Sequence, residues 1–319
     1  MLVEAVDGGS EMRLVEFHEQ EFEGFLYSQL EQTDKRLWHP HEVLEHYLGF
    51  DRALFLTNYY LWNLKGYRQP FQGISPFYRY DLWPDLAKAG ISRQRLPRFR
   101  LNCFLQAKRP EYAARTPRIA ASLGQRRPIY RISLDKEQQQ ILERVADRVA
   151  DRAIVAYAAP VFHRSQDLFR HGTAGTIVES ATFPDVAALK GHTFWYYNEP
   201  GARGIRNPDP EPVSFRSLGE RLDALIASVR TVETASHELS SLADAIRSAI
   251  LEQSTELGAR EAYLAQEWRS VDAFCEATDA PAAARSYLAT VTFCRYFLLD
   301  WLIISDSYQQ STENDTIAR

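Results

Sequence analysis

Apolar and polar positions along the chain repeat with two different periods, and the period sorts the chain into segments. Over residues 14–32, Leu14, Phe17, Phe22, Phe25, Leu26, Gln29 and Leu30 recur near 3.6 residues with acids on the other side, which predicts a helix. A shorter helix is expected over 40–48, with Val43, Leu44 and Tyr47 inward and Gly49 as its C-cap. Ala53–Asn58 reads as a strand. Residues 66–98 carry proline, glycine and aromatics without a sustained period and read as an irregular insertion. Phe99–Gln106 is the clearest strand, because Phe99, Leu101, Cys103 and Leu105 alternate with Arg100, Asn102 and Phe104. Ile129–Ile132 is a further strand candidate. Residues 134–150 form a helix with Leu134, Ile141, Leu142, Val145 and Val149 on one side. Ala153–Ala159 is a continuous apolar run ended by Pro160, the pattern of a strand buried on both faces. Strands are also expected at 175–179 and 192–198.

Asn207–Pro212 holds three prolines in six residues and reads as a domain boundary or stiff connector outside regular structure. Beyond it the helical period takes over. Leu218, Leu222, Leu225, Ile226, Val229 and Val232 form one stripe, and Leu239, Leu242, Ile246 and Ile250 another. Pro281 suits the first turn of a last helix carrying Tyr287, Leu288, Val291, Phe297, Leu298 and Trp301. The expected organisation is an α/β domain over 1–212 with an insertion at 66–98, an all-helical C-terminal domain over 213–310, and a disordered tail over 311–319. The helical stripes do not keep unbroken heptads, so a small bundle and a homodimer or partner interface are both open readings of them.

Composition adds little beyond an ordinary globular chain: 319 residues, 45% hydrophobic and 25% charged, enough to bury a core without covalent help. The three cysteines, Cys103, Cys275 and Cys294, are far apart, odd in number and lack a CxxC pair, which argues against a disulfide framework and a structural zinc site. The acidic start has no basic region followed by an apolar run, and the most apolar stretch, Tyr296–Ile304, is short and broken by Asp300. A cytoplasmic protein with no membrane partner is expected.

Charge changes the picture more. The net charge of −5 argues against a simple nucleic-acid coat. Yet residues 93–131 hold eleven Lys or Arg and one acid, Glu111, leaving 26 basic against 41 acidic residues elsewhere. A basic window of +10 on an acidic chain is the footprint expected of polyanion binding. Arg98, Arg100, Arg109, Arg126 and Arg127 are its candidate phosphate contacts.

Chemistry-bearing residues fall near that window. Asp51 stands at the entry to the first strand, in Leu48-Gly49-Phe50-Asp51. Gln106 and Lys108 close the clearest strand, and their i, i+2 spacing puts both on one side of it. A carboxylate, an amide and a lysine converging beside a basic loop suit metal-assisted attack on a phosphodiester. Magnesium takes oxygen ligands, commonly one or two carboxylates, and a lysine can stabilise the developing charge.

The order helix, strand with Asp, strand with Gln-x-Lys, helix, strand over about residues 14–160 resembles the PD-(D/E)XK nuclease superfamily in its Q-x-K variant. Gly49-Phe50-Asp51 looks like the motif with the metal-binding Asp, and Gln106-Ala107-Lys108 like the final motif. The resemblance implies a restriction-endonuclease-like mixed sheet flanked by helices. It implies a Mg2+ (or Mn2+) site at Asp51 and Gln106 with Glu23 or Glu45 from an upstream helix, and Lys108 assisting the attack. Gln106 replaces the commoner acid, so Glu23 or Glu45 would have to restore the missing charge. The role implied is a DNA endonuclease of bacterial restriction or antiphage defence. Two other classes stay open: a catalytically inactive nucleic-acid-binding or sensor module on the same fold, and an interaction protein working through its helices.

His163 and His192 lack partners at metal spacing, and no G-x-S-x-G is present. Phe194–Tyr197, followed by Gly201 and Gly204, could stack bases, but a packed aromatic strand explains the same run.

Overall fold

In a computed structural model, residues 12–33, 37–38, 99–113, 128–201, 203–207, 211–228, 235–251, 258–277, 280 and 282–305 are described. The expected helix at 40–48, the strand Ala53–Asn58, the insertion 66–98 and the tail lie outside them. The chain is mixed α/β and divides into two compact units. One comprises Met1–Lys35 with Cys103–Val229, the other Arg36–Asn102 with Arg230–Arg319.

The first unit holds a six-stranded antiparallel sheet. Its strands are β1 (Arg13–Leu14), β4 (Glu111–Ala113), β5 (Ile129–Ser133), β8 (Phe194–Tyr197), β9 (Arg203–Asn207) and β10 (Glu211–Ser214), in the order β1-β4-β5-β8-β9-β10. Tyr112 lies opposite Tyr130, and Tyr130 opposite Tyr197, so three tyrosines form one row across the sheet. Glu111, Arg131 and Tyr196 form the adjacent row on the other face. The same unit contains the C-terminal part of β3 (Phe99–Ala107) beside β6 (Ala153–Pro160), which pairs antiparallel with β7 (Ala181–Thr182). All eight residues of β6 are buried, as its unbroken apolar run predicts.

Helix α1 is Glu19–Thr33, five residues later than the apolar stripe suggests. Leu14 is 56% exposed and pairs with Glu111 in the sheet, while Val15 and Phe17 are buried ahead of the helix. The helix starts where His18 N–H can donate to Glu21 Oε2 at 2.7 Å, half of a capping box. Phe22, Leu26 and Leu30 face inward, and Phe17 and Phe22 meet Phe162 at ring-centroid distances of 5.4 and 6.5 Å. Helix α2 (Lys136–Arg148) follows its periodicity, with Ile141, Leu142 and Val145 buried and Asp135 capping Gln138 N–H at 2.8 Å.

Two expectations here are corrected. Residues 175–179 form a turn, not a strand. Helix α3 (Ser165–Ala174) ends on Gly175 in the left-handed region. The buried Gln29 side chain then takes up the neighbouring backbone groups, accepting from Ile177 N–H at 2.5 Å and Val178 N–H at 3.1 Å. Those groups are thereby withdrawn from any ladder. Asn207–Pro212 also is not free of regular structure. Asn207 ends β9 and Pro212 sits in β10, opposite Ile205. Proline is tolerated there because β10 is the edge of the sheet. Helix α4 (Leu218–Ser228), beyond those prolines, belongs to the first unit; Arg221 ties it to Asp185 at 3.2 Å and to the Phe183 carbonyl at 2.7 Å.

The second unit contains α5 (Ala235–Leu251), α6 (Ala259–Ala277) and α7 (Ala282–Phe297), with α7 packed against both others. Leu239, Leu242, Ile246 and Ile250 are buried as their stripe predicts. Arg247 forms a two-pronged ion pair with Asp272, at 2.9 and 3.2 Å, over the face of Trp268. The last helix stops earlier than expected. Leu298 takes φ of 52° and is 67% exposed, and Trp301 lies in strand β11 (Asp300–Ser305), which pairs with β2 (Leu37–Trp38). Trp301 Nε1–H donates to Asn102 Oδ1 at 2.8 Å, so this part of the chain is not all-helical. The three cysteines are buried and unpaired by disulfides, and burial pushes the Cys103 thiol up to about 12. Among the described residues no helix is long and apolar enough to cross a membrane.

Candidate functional site

The exit of β3 carries the Gln-x-Lys pair. Gln106 is the penultimate residue of β3 and is 1% exposed. Lys108, half-buried, stands just past the strand, and its N–H donates to the Ala158 carbonyl at 2.8 Å, extending the contact with β6. Strand alternation places the two side chains on one side. Burial lowers the Lys108 ammonium pKa from its ordinary value, opposed by the carboxylates of Glu19 and Asp135. Its Nζ lies 5.6 Å from the centroid of the Tyr157 ring.

The residues after Lys108 are pinned to the start of α1. Arg109 N–H donates to Glu19 Oε2 at 2.9 Å, and Arg109 Nη2 donates to the Val15 carbonyl at 2.6 Å. Val15 N–H donates to the Pro110 carbonyl at 3.3 Å. Of the other basic-window residues, Arg131 pairs with Glu111 and lies over the Phe194 ring at 4.7 Å. Arg100 contributes backbone to β3. Arg98, Arg126 and Arg127 lie outside the described residues, as do Asp51 and Glu45.

Glu23 sits on α1, half-buried, one turn beyond Glu19 and on the same helix face. The α1 acid brought to Lys108 is Glu19, which sequence reasoning passed over. Its i, i+4 relation to Glu23 was the available signal. Among the described residues there is no group of three or more His, Cys, Asp or Glu side chains arranged to hold a metal ion. The described donors, the Gln106 amide oxygen and the α1 carboxylates, do not by themselves complete a magnesium site.

Behind Lys108 runs a buried polar chain. The Tyr157 hydroxyl donates to Gln139 Oε1. Gln139 Nε2 donates to Glu143 Oε1 at 2.9 Å and to the Val186 carbonyl at 3.0 Å. Gly191 N–H reaches the same Glu143 oxygen at 3.3 Å. Burial, with the charges of Glu143 and Asp135, pushes the Tyr157 phenol well up.

The histidines serve elsewhere. His163 Nδ1 meets the Tyr130 hydroxyl at 3.2 Å, and its ring stacks on Tyr112 at 4.1 Å. His192 leads into β8, its N–H donating to the Leu189 carbonyl at 3.0 Å. Trp195, Tyr196 and Tyr197 are buried in β8, with the Tyr197 hydroxyl donating to the Pro160 carbonyl at 2.9 Å. The run is a packed aromatic strand. A cavity of about 350 Å3 opens between Glu179, Phe183, Gly201 and the start of α4. The helix terminus there is already capped by a reciprocal pair, Ser217 Oγ accepting from Glu220 N–H at 3.2 Å and Glu220 Oε2 from Ser217 N–H at 2.7 Å.

The class these observations define is a mixed α/β protein with an antiparallel sheet and a lysine half-buried at a strand exit. No protein-family model, curated protein or solved structure matches the chain.

Proposed function

We propose that the protein is a metal-dependent phosphodiesterase, a DNA endonuclease of restriction or antiphage defence acting in the cytoplasm. The observation that carries the reading is Lys108: a half-buried ammonium at the exit of β3, two residues from the buried Gln106, with the Glu19 carboxylate among the charges facing it. A cation held in a partly dry site acts strongly on charge that builds on a phosphate in the transition state. Asp51, with Glu23 or Glu45 and the Gln106 amide oxygen, is assigned to hold Mg2+ or Mn2+. When bound, the metal would neutralise phosphate charge and lower the pKa of a water. Lys108 orients the water or meets the phosphate oxygen, and Arg98, Arg100, Arg109, Arg126 and Arg127 are assigned to the DNA backbone.

The test is incubation of the full chain with plasmid and single-stranded DNA in Mg2+, Mn2+ or EDTA, beside Lys108→Ala. Metal-dependent cleavage is expected, reduced on the order of a hundredfold or more in the variant. Cleavage that survives unchanged in Lys108→Ala overturns the assignment of the site. A second reading, a silent nucleic-acid-binding module, is favoured by one observation: an amide, Gln106, occupies the strand where a carboxylate would serve the metal better. It predicts a salt-dependent mobility shift with no cleavage in any metal.

A further inference from the structure

We propose that Tyr157 is the positioning residue of Lys108: its ring faces the lysine ammonium, and its hydroxyl is anchored through Gln139 to Glu143. The functional consequence rests on the phosphodiesterase reading; the geometry does not.

The backbone fixes only where Lys108 begins. Its N–H is held by the Ala158 carbonyl at 2.8 Å, but four rotatable carbons separate that anchor from the ammonium. The neighbouring carboxylates, Glu19 and Asp135, attract the charge without dictating a direction. The Tyr157 ring does dictate one, because the attraction of a ring for a cation acts over its face and within about 6 Å of the centroid. Nζ lies at 5.6 Å.

The ring cannot yield easily. Tyr157 is 1% exposed in the middle of β6. Its hydroxyl donates to Gln139 Oε1 on α2, and the Gln139 amide donates in turn to Glu143 Oε1 at 2.9 Å and to the Val186 carbonyl at 3.0 Å. Glu143 accepts from Gly191 N–H at 3.3 Å. Gln139 and Glu143 are 2% and 7% exposed. A buried hydroxyl, amide and carboxylate between a strand and a helix are costly compared with apolar side chains unless each satisfies the next. A phenylalanine over a leucine would fill the same space. The polar run is accounted for if the orientation of the ring beside Lys108 is what it secures.

The experiment uses the full chain labelled with 13C-lysine. The Lys108 ε-methylene resonance is identified by its loss in Lys108→Ala. An ammonium held over a ring face carries an upfield ring-current shift, expected in full in the native chain, smaller in Tyr157→Phe, whose ring has lost its hydroxyl anchor to Gln139, and absent in Tyr157→Leu. In metal-supplemented plasmid cleavage, Tyr157→Leu should lower kcat roughly tenfold with KM within about twofold, and Tyr157→Phe should recover it to within about threefold. A Tyr157→Leu chain that keeps the upfield resonance overturns the proposal, as does one that loses it and cleaves at the native kcat. If circular dichroism shows that Tyr157→Leu does not fold, Gln139→Leu replaces it. That variant leaves the ring unanchored and should shrink the shift; an unchanged shift overturns the anchoring. A native chain that cuts no DNA sinks the nuclease reading alone. The resonance then still decides the geometry: upfield in the native chain it upholds the positioning, and at the bulk lysine value it overturns it.

Discussion

Gly204 shows how a single position can be dictated by space. In β9 it lies across from β8, and a Cβ there would run into the Trp195 ring and the Tyr196 carbonyl. The backbone carbonyl cannot move without breaking the ladder, and Trp195 is fully buried. Gly204→Ala should therefore destabilise the chain by about 2 kcal/mol or more, read as a lower urea midpoint at unchanged slope. At the same scale, Glu19 and Glu23 look equivalent in the sequence, two acids one turn apart. What separates them is the Arg109 N–H, which reaches Glu19 Oε2 and brings that carboxylate to the exit of β3. Periodicity shows which residues share a helix face, not which of them another segment will meet.

Elements were legible where one local signal ruled. Helix α2 has an apolar stripe, an Asp at the N-cap position and no competing partner, and it forms within two residues of the expected bounds. Its cap is a testable local term. Asp135→Ala should lower stability by about 1 kcal/mol in denaturant unfolding, with most of it recovered by Asp135→Asn, which can still accept from Gln138 N–H. Elements misread from sequence had a distant competitor. The 175–179 segment has strand-like residues, but Gln29, far away in the chain, bonds its backbone groups. Pro212 breaks interior strands, yet nothing in the sequence says that β10 will be an edge. The apolar spacing overruns the end of the last helix because Leu298 and Trp301 keep it while the chain turns at Leu298 into β11.

For the molecule as a whole, the half-buried histidines of the first unit link its stability to pH. Burial lowers the pKa of His163, helped by the Arg164 charge and opposed by Asp167 and Glu16. Burial and Arg170 lower that of His171, opposed by Asp167. A base whose folded pKa is depressed binds fewer protons folded than unfolded. Its contribution to stability is complete above the unfolded value of about 6.5 and is lost as pH falls below it toward the lowered folded values. The melting temperature should thus decline as pH falls below about 6.5, and His163→Gln with His171→Gln should flatten that stretch of the profile. An equal decline in the double variant would assign the effect to carboxylates.

The sequence by itself determined the elements whose pattern is local and strong: β3, β5, α2, β6, β8 and the buried stripes of α4 and α5. It also determined the absence of a disulfide framework and the Gln106–Lys108 pair at the end of a strand, because strand alternation follows from the backbone alone. The tertiary structure decided the rest. It made the sheet antiparallel with β10 at its edge and drew α4 into the first unit. It selected Glu19 as the α1 acid near Lys108 and placed the Tyr157–Gln139–Glu143 run behind it. Each of these depends on which groups, remote in the chain, meet to satisfy one another's hydrogen bonds or charge, and no period within a single segment records that.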